Sequence, residues 1–286
     1  MNRALSLWYE PRRRDYPWRT SRDPYRVLVS EVMLQQTQAA RVAPAFEAFV
    51  ALFPDVFALA RASRADVLRA WGSLGYNRRA IALHDASRAI VDRHCGEVPR
   101  DGDELRALPG VGPYTAAAVA SIAFGERVAA LDVNVARVVA RARLGGDEAG
   151  RAEVARAANG WIDGDDPGGW NQALMDLGRD LCRPRPRCDA CPLRRACRFS
   201  ARGASPAPAS RRQSPYKGSF REARGAVVRT LRETDGATSL ASIARRSDLS
   251  LDRVAAAARE LAAEGVVAAG PAVFAGRPRG RVRFSI

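Results

Sequence analysis

Residues 108–125 read LPGVGPYTAAAVASIAFG. Pro113 stands at the first position of an apolar helical run and Gly125 follows its end, which are good start and stop signals for a helix. Just ahead, Gly110 and Gly112 let the backbone turn tightly, so that amide N–H groups at the helix start can meet a phosphate. A G-x-G turn alone is usually only a turn. Here it lies between two helical patterns, and Leu108, Gly110, Val111 and Gly112 read as a helix-hairpin-helix phosphate clamp.

Helical spacing extends to both sides. YRVLVSEVMLQQTQAARV (25–42), SRADVLRAW (63–71) and RRAIALHDASRAIVDRH (78–94) carry apolar residues three or four apart, and strand-like alternation is scarce. The first 200 residues are expected to be nearly all helix. Residues 201–219, ARGASPAPASRRQSPYKGS, have no apolar period and read as a linker. In the tail, 220–286, one helix is marked by Phe220, Ala223, Val227, Val228 and Leu231. SLASIARR suggests a second, and Leu251, Val254, Ala255, Ala258, Leu261 and Ala262 mark a third. Two short strands around a Gly/Pro/Arg loop follow, so the tail is expected to be winged-helix-like. It suits either a DNA contact or protein docking. No internal repeat is evident.

The 286-residue chain carries a net charge of +15, and Lys217 is its single lysine. Residues 201–286 hold 16 basic and 7 acidic side chains. A GC-rich genome also favours arginine, yet an excess this large points to a polyanion, with nucleic acid first. No apolar run reaches membrane-span length, and the N-terminus lacks the apolar segment of a signal peptide. The expected location is the cytoplasm, where thiols stay reduced.

That matters for Cys182-x5-Cys188-x2-Cys191-x5-Cys197, four of the chain's five cysteines. Thiolates at such intervals can wrap one metal centre, either a 4Fe–4S cluster or zinc, although structural zinc sites usually pair two C-x2-C knuckles. Arg183, Arg185, Arg187, Arg194 and Arg195 would then be displayed to phosphates. Cys95 reads as a core or helix-surface residue.

Two carboxylates carry the chemistry. Asp132 in LDVNVARVV lies where a helix begins, as an ordinary N-cap would, and the helix dipole there favours a carboxylate able to stabilise positive charge. Glu31 in YRVLVSEVMLQQTQ is surrounded by Val27, Leu28, Val32 and Leu34, poor company for a solvent-exposed acid. Partial burial would raise its pKa and keep it protonated near neutral pH. One protonated acid beside one ionised partner is the arrangement that cleaves glycosidic bonds.

SEVMLQQTQ, WGSLGYNRRA, LPGVGPYTAAA, LDVNVARV, NQALMDLG and the cysteine cluster, in this order, resemble the MutY-type A/G-specific adenine DNA glycosylases of the helix-hairpin-helix superfamily, over about residues 5–200. The resemblance implies a mainly α fold of two helical modules, with DNA and a flipped base in the cleft between them. Glu31 and Asp132 would face the nucleoside from opposite walls. It implies a 4Fe–4S cluster on the four cysteines. Glu31 would protonate the departing adenine, and Asp132 would stabilise the oxocarbenium-like sugar or trap it, with Tyr114 and Asn134 as active-site partners. Gln36 and Tyr76 match residues that wedge into the base stack, and Trp18, Arg19 and Gln172 match the region lining the adenine pocket; core packing for Trp18 and a surface helix position for Gln172 are the plainer alternatives. Relatives that cut the strand place a lysine where this chain has Tyr114.

The chain departs from the family in its first cysteine spacing, in Asn77 and Val133, and in a tail unlike the Nudix-like domain of most MutY proteins. The winged-helix reading of the tail leaves the opposite base open. The expected function is a monofunctional glycosylase that releases adenine from mispairs with 8-oxoguanine or guanine. Its partner would be double-stranded DNA carrying a mispair or damaged base, engaged by a monomer without a membrane. Removal of thymine, uracil or hypoxanthine is the same-fold alternative, and a non-catalytic iron–sulfur DNA-binding regulator the other.

Overall fold

The computed structural model describes residues 1–203, 205, 215–234 and 236–285. Most of the expected linker lies outside them. The chain forms two compact units, Met1–Val32 with Val98–Arg211, and Met33–Glu97 with Arg212–Ile286.

Among the described residues, every regular element of the first unit is a helix. Its core gathers Leu5 and Tyr9 from the helix Asn2–Tyr9, Val135, Val138 and Val139 from Val133–Val139, and Leu174 and Leu177 from Pro167–Asp180. Trp161 and Trp170 meet edge to face in the same core, with ring centroids 5.6 Å apart. Gly178 sets how closely two of these helices pack: a Cβ there would stand 2.6 Å from the Asn134 Cβ and 3.0 Å from its carbonyl oxygen. The hairpin joins Gly102–Ala107 to Pro113–Phe124, and Gly125 closes the second helix in a left-handed conformation, as its position after the apolar run predicts.

In the second unit, the helices Ala39–Leu52, Val56–Arg61, Arg64–Ala70 and Arg78–His94 enclose Phe46, Phe49, Leu59, Leu68, Trp71, Leu83 and Ile90. Exposed Cys95 caps the last of them with a positive φ of 53°. The helical pattern over 25–42 is interrupted: Pro24–Leu34 ends and Ala39–Leu52 begins afresh, because Gln36 turns left-handed with φ 56°. The tail contributes the helices Phe220–Arg232, Leu240–Ser247 and Leu251–Ala263. The expected pair of strands, Val267–Ala269 and Arg281–Phe284, is joined by a third, Thr238–Ser239, so that Arg281–Phe284 lies central in an antiparallel sheet. At two residues, Thr238–Ser239 is too short to leave an alternation in the sequence. A short helix, Pro271–Phe274, fills the connection between the other two strands.

Candidate active site

Glu31 sits in the last turns of Pro24–Leu34, among the buried side chains of Val27, Leu28 and Val32. It is 5% exposed, and its Oε2 is buried without a hydrogen-bond partner. Burial pushes its carboxyl from 4.5 up to about 7; a hydrogen bond from the Tyr114 hydroxyl opposes the rise, Asp132 adds to it and Arg19 opposes it. Tyr114 enters from the first turn of Pro113–Phe124, its hydroxyl 3.7 Å from Met175 Sδ. Burial, then the proximity of Glu31 and Asp132, hold that phenol well above its ordinary value.

Glu31, Tyr114 and Asp132 therefore share one neighbourhood in the first unit. The expectation of two acids on opposite module walls is corrected here, since Glu31 belongs to the same compact unit as Asp132. The reason is local: the chain leaves this unit only after Val32, one residue beyond Glu31.

Asp132 is the N-cap of Val133–Val139. Its Oδ1 accepts the backbone N–H groups of Asn134 (2.9 Å) and Val135 (2.7 Å), and its Oδ2 accepts Asn134 Nδ2 (2.9 Å). Three donors thus fix the orientation of the carboxylate. Asn134 is fixed in turn by Arg137, one turn on, whose Nη2 donates to Asn134 Oδ1 (2.8 Å) and to the Gly178 carbonyl (2.8 Å). The Arg137 Nε donates to the Cys182 carbonyl at 2.6 Å. Sequence reasoning missed Arg137, and its only local signal is the spacing of three from Asn134.

Trp18 is buried and stacks on Tyr16, with centroids 4.8 Å apart and an interplanar angle of 10°. Arg19 makes a two-pronged, buried ion pair with Asp176, both bonds 2.9 Å. Half-buried Gln172 accepts the Tyr9 hydroxyl on Oε1 at 3.0 Å. Trp18 and Arg19 are thus held as packed and paired groups, while Gln172 keeps its amide nitrogen as a donor. Tyr9, Met175 and Asp176, which sequence reasoning did not single out, are the groups that position Gln172, Tyr114 and Arg19.

In the hairpin the side chains of Leu108 and Val111 are buried, so what this turn can offer a ligand is backbone. Val111 N–H closes the turn on the Leu108 carbonyl at 3.1 Å. Gly110 has φ 74°, which a side chain would strain, and a Cβ on Gly112 would meet nothing within 4 Å.

Gln36 and Tyr76 both belong to the second unit, and both have left-handed backbones, φ 56° and 48°. Arg79 ties their turns together: its guanidinium donates to the carbonyls of Met33 (3.0 Å), Gln35 and Gly75 (3.2 Å) and to Thr37 Oγ1 (3.0 Å). The same group lies 5.3 Å from the Tyr76 ring and 5.4 Å from that of Trp71. Burial lowers its pKa to about 10. Asn77, next to the exposed Tyr76, is buried.

Cys182, Cys188, Cys191 and Cys197 line one cavity with Arg141 and Phe199. Arg141 holds the loop by donating to the carbonyls of Arg183 (2.5 Å) and Pro184 (3.1 Å) and by lying 3.8 Å from Cys182 Sγ. Among the described residues, however, no three His, Cys, Asp or Glu side chains are drawn together closely enough to hold an ion. All five arginines of the loop are exposed, and Arg194 pairs with Asp189 at 2.9 Å.

Residues 29–163 match the family described as HhH-GPD superfamily base excision DNA repair protein. An adenine DNA glycosylase of Mycolicibacterium smegmatis is 41% identical over 234 residues, which cover 80% of this chain and 80% of that protein. A thermostable thymine-DNA glycosylase superposes with a TM-score of 0.65 at 30% identity, over 70% of this chain and 94% of that one. Endonuclease III in a non-covalent complex with DNA gives 0.60 at 26% identity, over 71% and 95%. The fold and the hairpin are those of an HhH-GPD base excision repair protein. Within that class the chain belongs to the MutY-type adenine DNA glycosylase family.

Proposed function

We propose that this protein hydrolyses the N-glycosidic bond of adenine mispaired with 8-oxoguanine or guanine in double-stranded DNA. The observation that carries the reading is Glu31, a buried acid raised to about 7 beside Asp132 and Tyr114. Held protonated near neutral pH, Glu31 gives its proton to a ring nitrogen of the base as the C1′–N9 bond breaks and the bonding pair leaves with adenine. Positive charge then develops on the sugar. The Asp132 carboxylate, oriented by its three donors, stabilises it electrostatically. Water adds to C1′ and passes its spare proton to the Glu31 carboxylate, leaving an abasic site and a restored enzyme.

Strand cleavage would need an amine at the sugar. The single lysine, Lys217, is exposed in the turn before Phe220–Arg232, and by the family resemblance Tyr114 would occupy the position where strand-cutting relatives carry one. Monofunctional hydrolysis follows. The amides of Gly110 and Gly112 would serve a backbone phosphate, and Gln36 and Tyr76 would enter the base stack. Trp18, Arg19 and Gln172 would border the adenine.

The thiols of Cys182, Cys188, Cys191 and Cys197 suit a 4Fe–4S cluster, because the cavity they line carries no carboxylate or imidazole. When bound, such a cluster supplies a cross-link for a loop with little apolar packing of its own. The boundaries we favour are a glycosylase domain over 1–200, a linker over 201–219 and a winged-helix-like domain over 220–286. A monomer acting in the cytoplasm, on the nucleoid, fits this reading. Among the described residues no helix is long and apolar enough to cross a membrane.

The test is base release from a duplex panel holding A:8-oxoguanine, A:G, T:G, U:G and hypoxanthine:T, with wild type, Glu31→Gln and Asp132→Asn. Adenine release by wild type and its loss in both variants is expected. Robust release by either variant would overturn these roles, and selective release of thymine would transfer the reading to the thymine-DNA glycosylase likeness. Tight binding without release from any duplex would favour a regulator.

A further inference from the structure

The tail ribbon concentrates charge in a way the rest of the tail does not. Arg277, Arg279, Arg281 and Arg283 fall within seven residues, and no acidic residue occurs after Glu264. All four are exposed, and none makes an ion pair within the described residues. Elsewhere in the tail three arginines are neutralised in ion pairs, Arg224 with Glu260 and Glu264, Arg246 with Glu233 and Arg253 with Glu222, while exposed Arg229 and Arg245 stand apart from one another on separate helices. Along Arg281–Phe284, exposed Arg281 and Arg283 alternate with buried Val282 and Phe284, so the strand turns both arginines to one face.

The ribbon is also built rigid. Its loop is pinned on both sides, by Arg277 N–H to the Ala272 carbonyl (2.9 Å), Leu240 N–H to Gly280 (2.9 Å) and Ala241 N–H to Pro278 (3.0 Å). A Cβ on Gly280 would stand 2.8 Å from Val273 N, so the loop closes tightly on the Pro271–Phe274 helix. Phe284, next to Arg283, lies under Arg69 of Arg64–Ala70 at 6.0 Å, which docks the ribbon on the unit that carries Gln36 and Tyr76. The third helix of the tail, Leu251–Ala263, exposes Asp252, Glu260 and Ala263 instead. Such a face is a poor partner for phosphate.

We infer that the Arg277–Arg283 ribbon, and not the third helix, is a second DNA-phosphate contact of this protein. This rests on the reading of the chain as a DNA-binding enzyme. Preorganised guanidinium groups meet phosphates with little ordering cost, and each contact releases counterions.

The experiment is fluorescence anisotropy of a duplex against the full-length holoprotein across a salt series. It compares Arg277→Gln/Arg279→Gln/Arg281→Gln/Arg283→Gln with wild type. The expected slope of log affinity against log salt falls by about 0.9 for each phosphate that is no longer neutralised, hence by about 2 to 4, with affinity down roughly tenfold or more. Because Arg281 also donates to the Ala237 carbonyl (2.7 Å), the triple variant that keeps Arg281 guards against misfolding. The control Arg245→Gln/Arg246→Gln removes charge from Leu240–Ser247. An equal fall per charge in the control means a diffuse field, and no fall in the ribbon variants means a solvated or protein-docking edge; either overturns the inference. Single-turnover base release at saturating protein should stay unchanged in the ribbon variants. If wild type releases no base, the catalytic reading fails while the salt slopes still judge the ribbon.

Discussion

Replacing Glu31 with glutamine should stabilise the protein while removing its activity. In the unfolded chain this carboxyl titrates at 4.5, whereas burial in the folded site raises it to about 7. The folded state therefore holds the extra proton between those values, and wild-type stability from this group falls as pH rises through the window. At about 1.4 kcal/mol per pH unit, the full displacement amounts to about 3 kcal/mol above pH 7. Glutamine keeps the shape and does not titrate, so the advantage of Glu31→Gln should be near zero at about pH 4, grow through the window and level off at about 3 kcal/mol. Urea unfolding of both proteins from about pH 4 to about pH 8.5 measures the difference directly. Single-turnover adenine release by wild type should in parallel decline as pH rises beyond about 7, as the acid form is lost, with no release by the variant. A stability difference that does not change with pH would refute the claim that burial raises this group.

Other perturbations follow from the same geometry. Arg137→Met removes the donors to Asn134, Gly178 and Cys182 while keeping the stem, and should lower the single-turnover rate at least tenfold (on the order of 1.4 kcal/mol in the barrier) without moving the pH midpoint set by Glu31. Gly178→Ala drives a methyl into Asn134 and should cost roughly 1–3 kcal/mol in urea unfolding, with a lower rate as Asn134 shifts. Arg79→Leu releases the turns bearing Gln36 and Tyr76. It should slow adenine release from an A:8-oxoguanine duplex several-fold, yet spare release from a substrate whose adenine has no opposing base; equal slowing of both would contradict a role in opening the duplex.

Much of this was legible because its causes are local. Pro113 and Gly125 bound their helix by backbone chemistry, Asp132 caps its helix as an aspartate at that place does, and the apolar neighbours of Glu31 bury it. What escaped depends on distant partners. Arg137 meets Cys182 across 45 positions, Arg19 meets Asp176 across 157 and Arg79 meets Met33 across 46. In a chain so rich in arginine, nothing in the neighbouring residues marks these three as structural. The break at Gln36 was hidden because a left-handed residue there is not glycine. The side chains of Leu108 and Val111 anchor the turn, a packing role that the glycine spacing alone does not reveal, since a short hairpin needs apolar residues beneath it as much as glycines within it.

The backbone at Gln36 and Tyr76 would be easier for glycine than for the residues that stand there. Selection of random variants for heat resistance alone should therefore enrich glycine at both places. If Gln36 and Tyr76 enter the base stack as proposed, such survivors would be sturdier proteins with nothing to insert between base pairs, and thermostabilising this scaffold would require holding those two positions fixed.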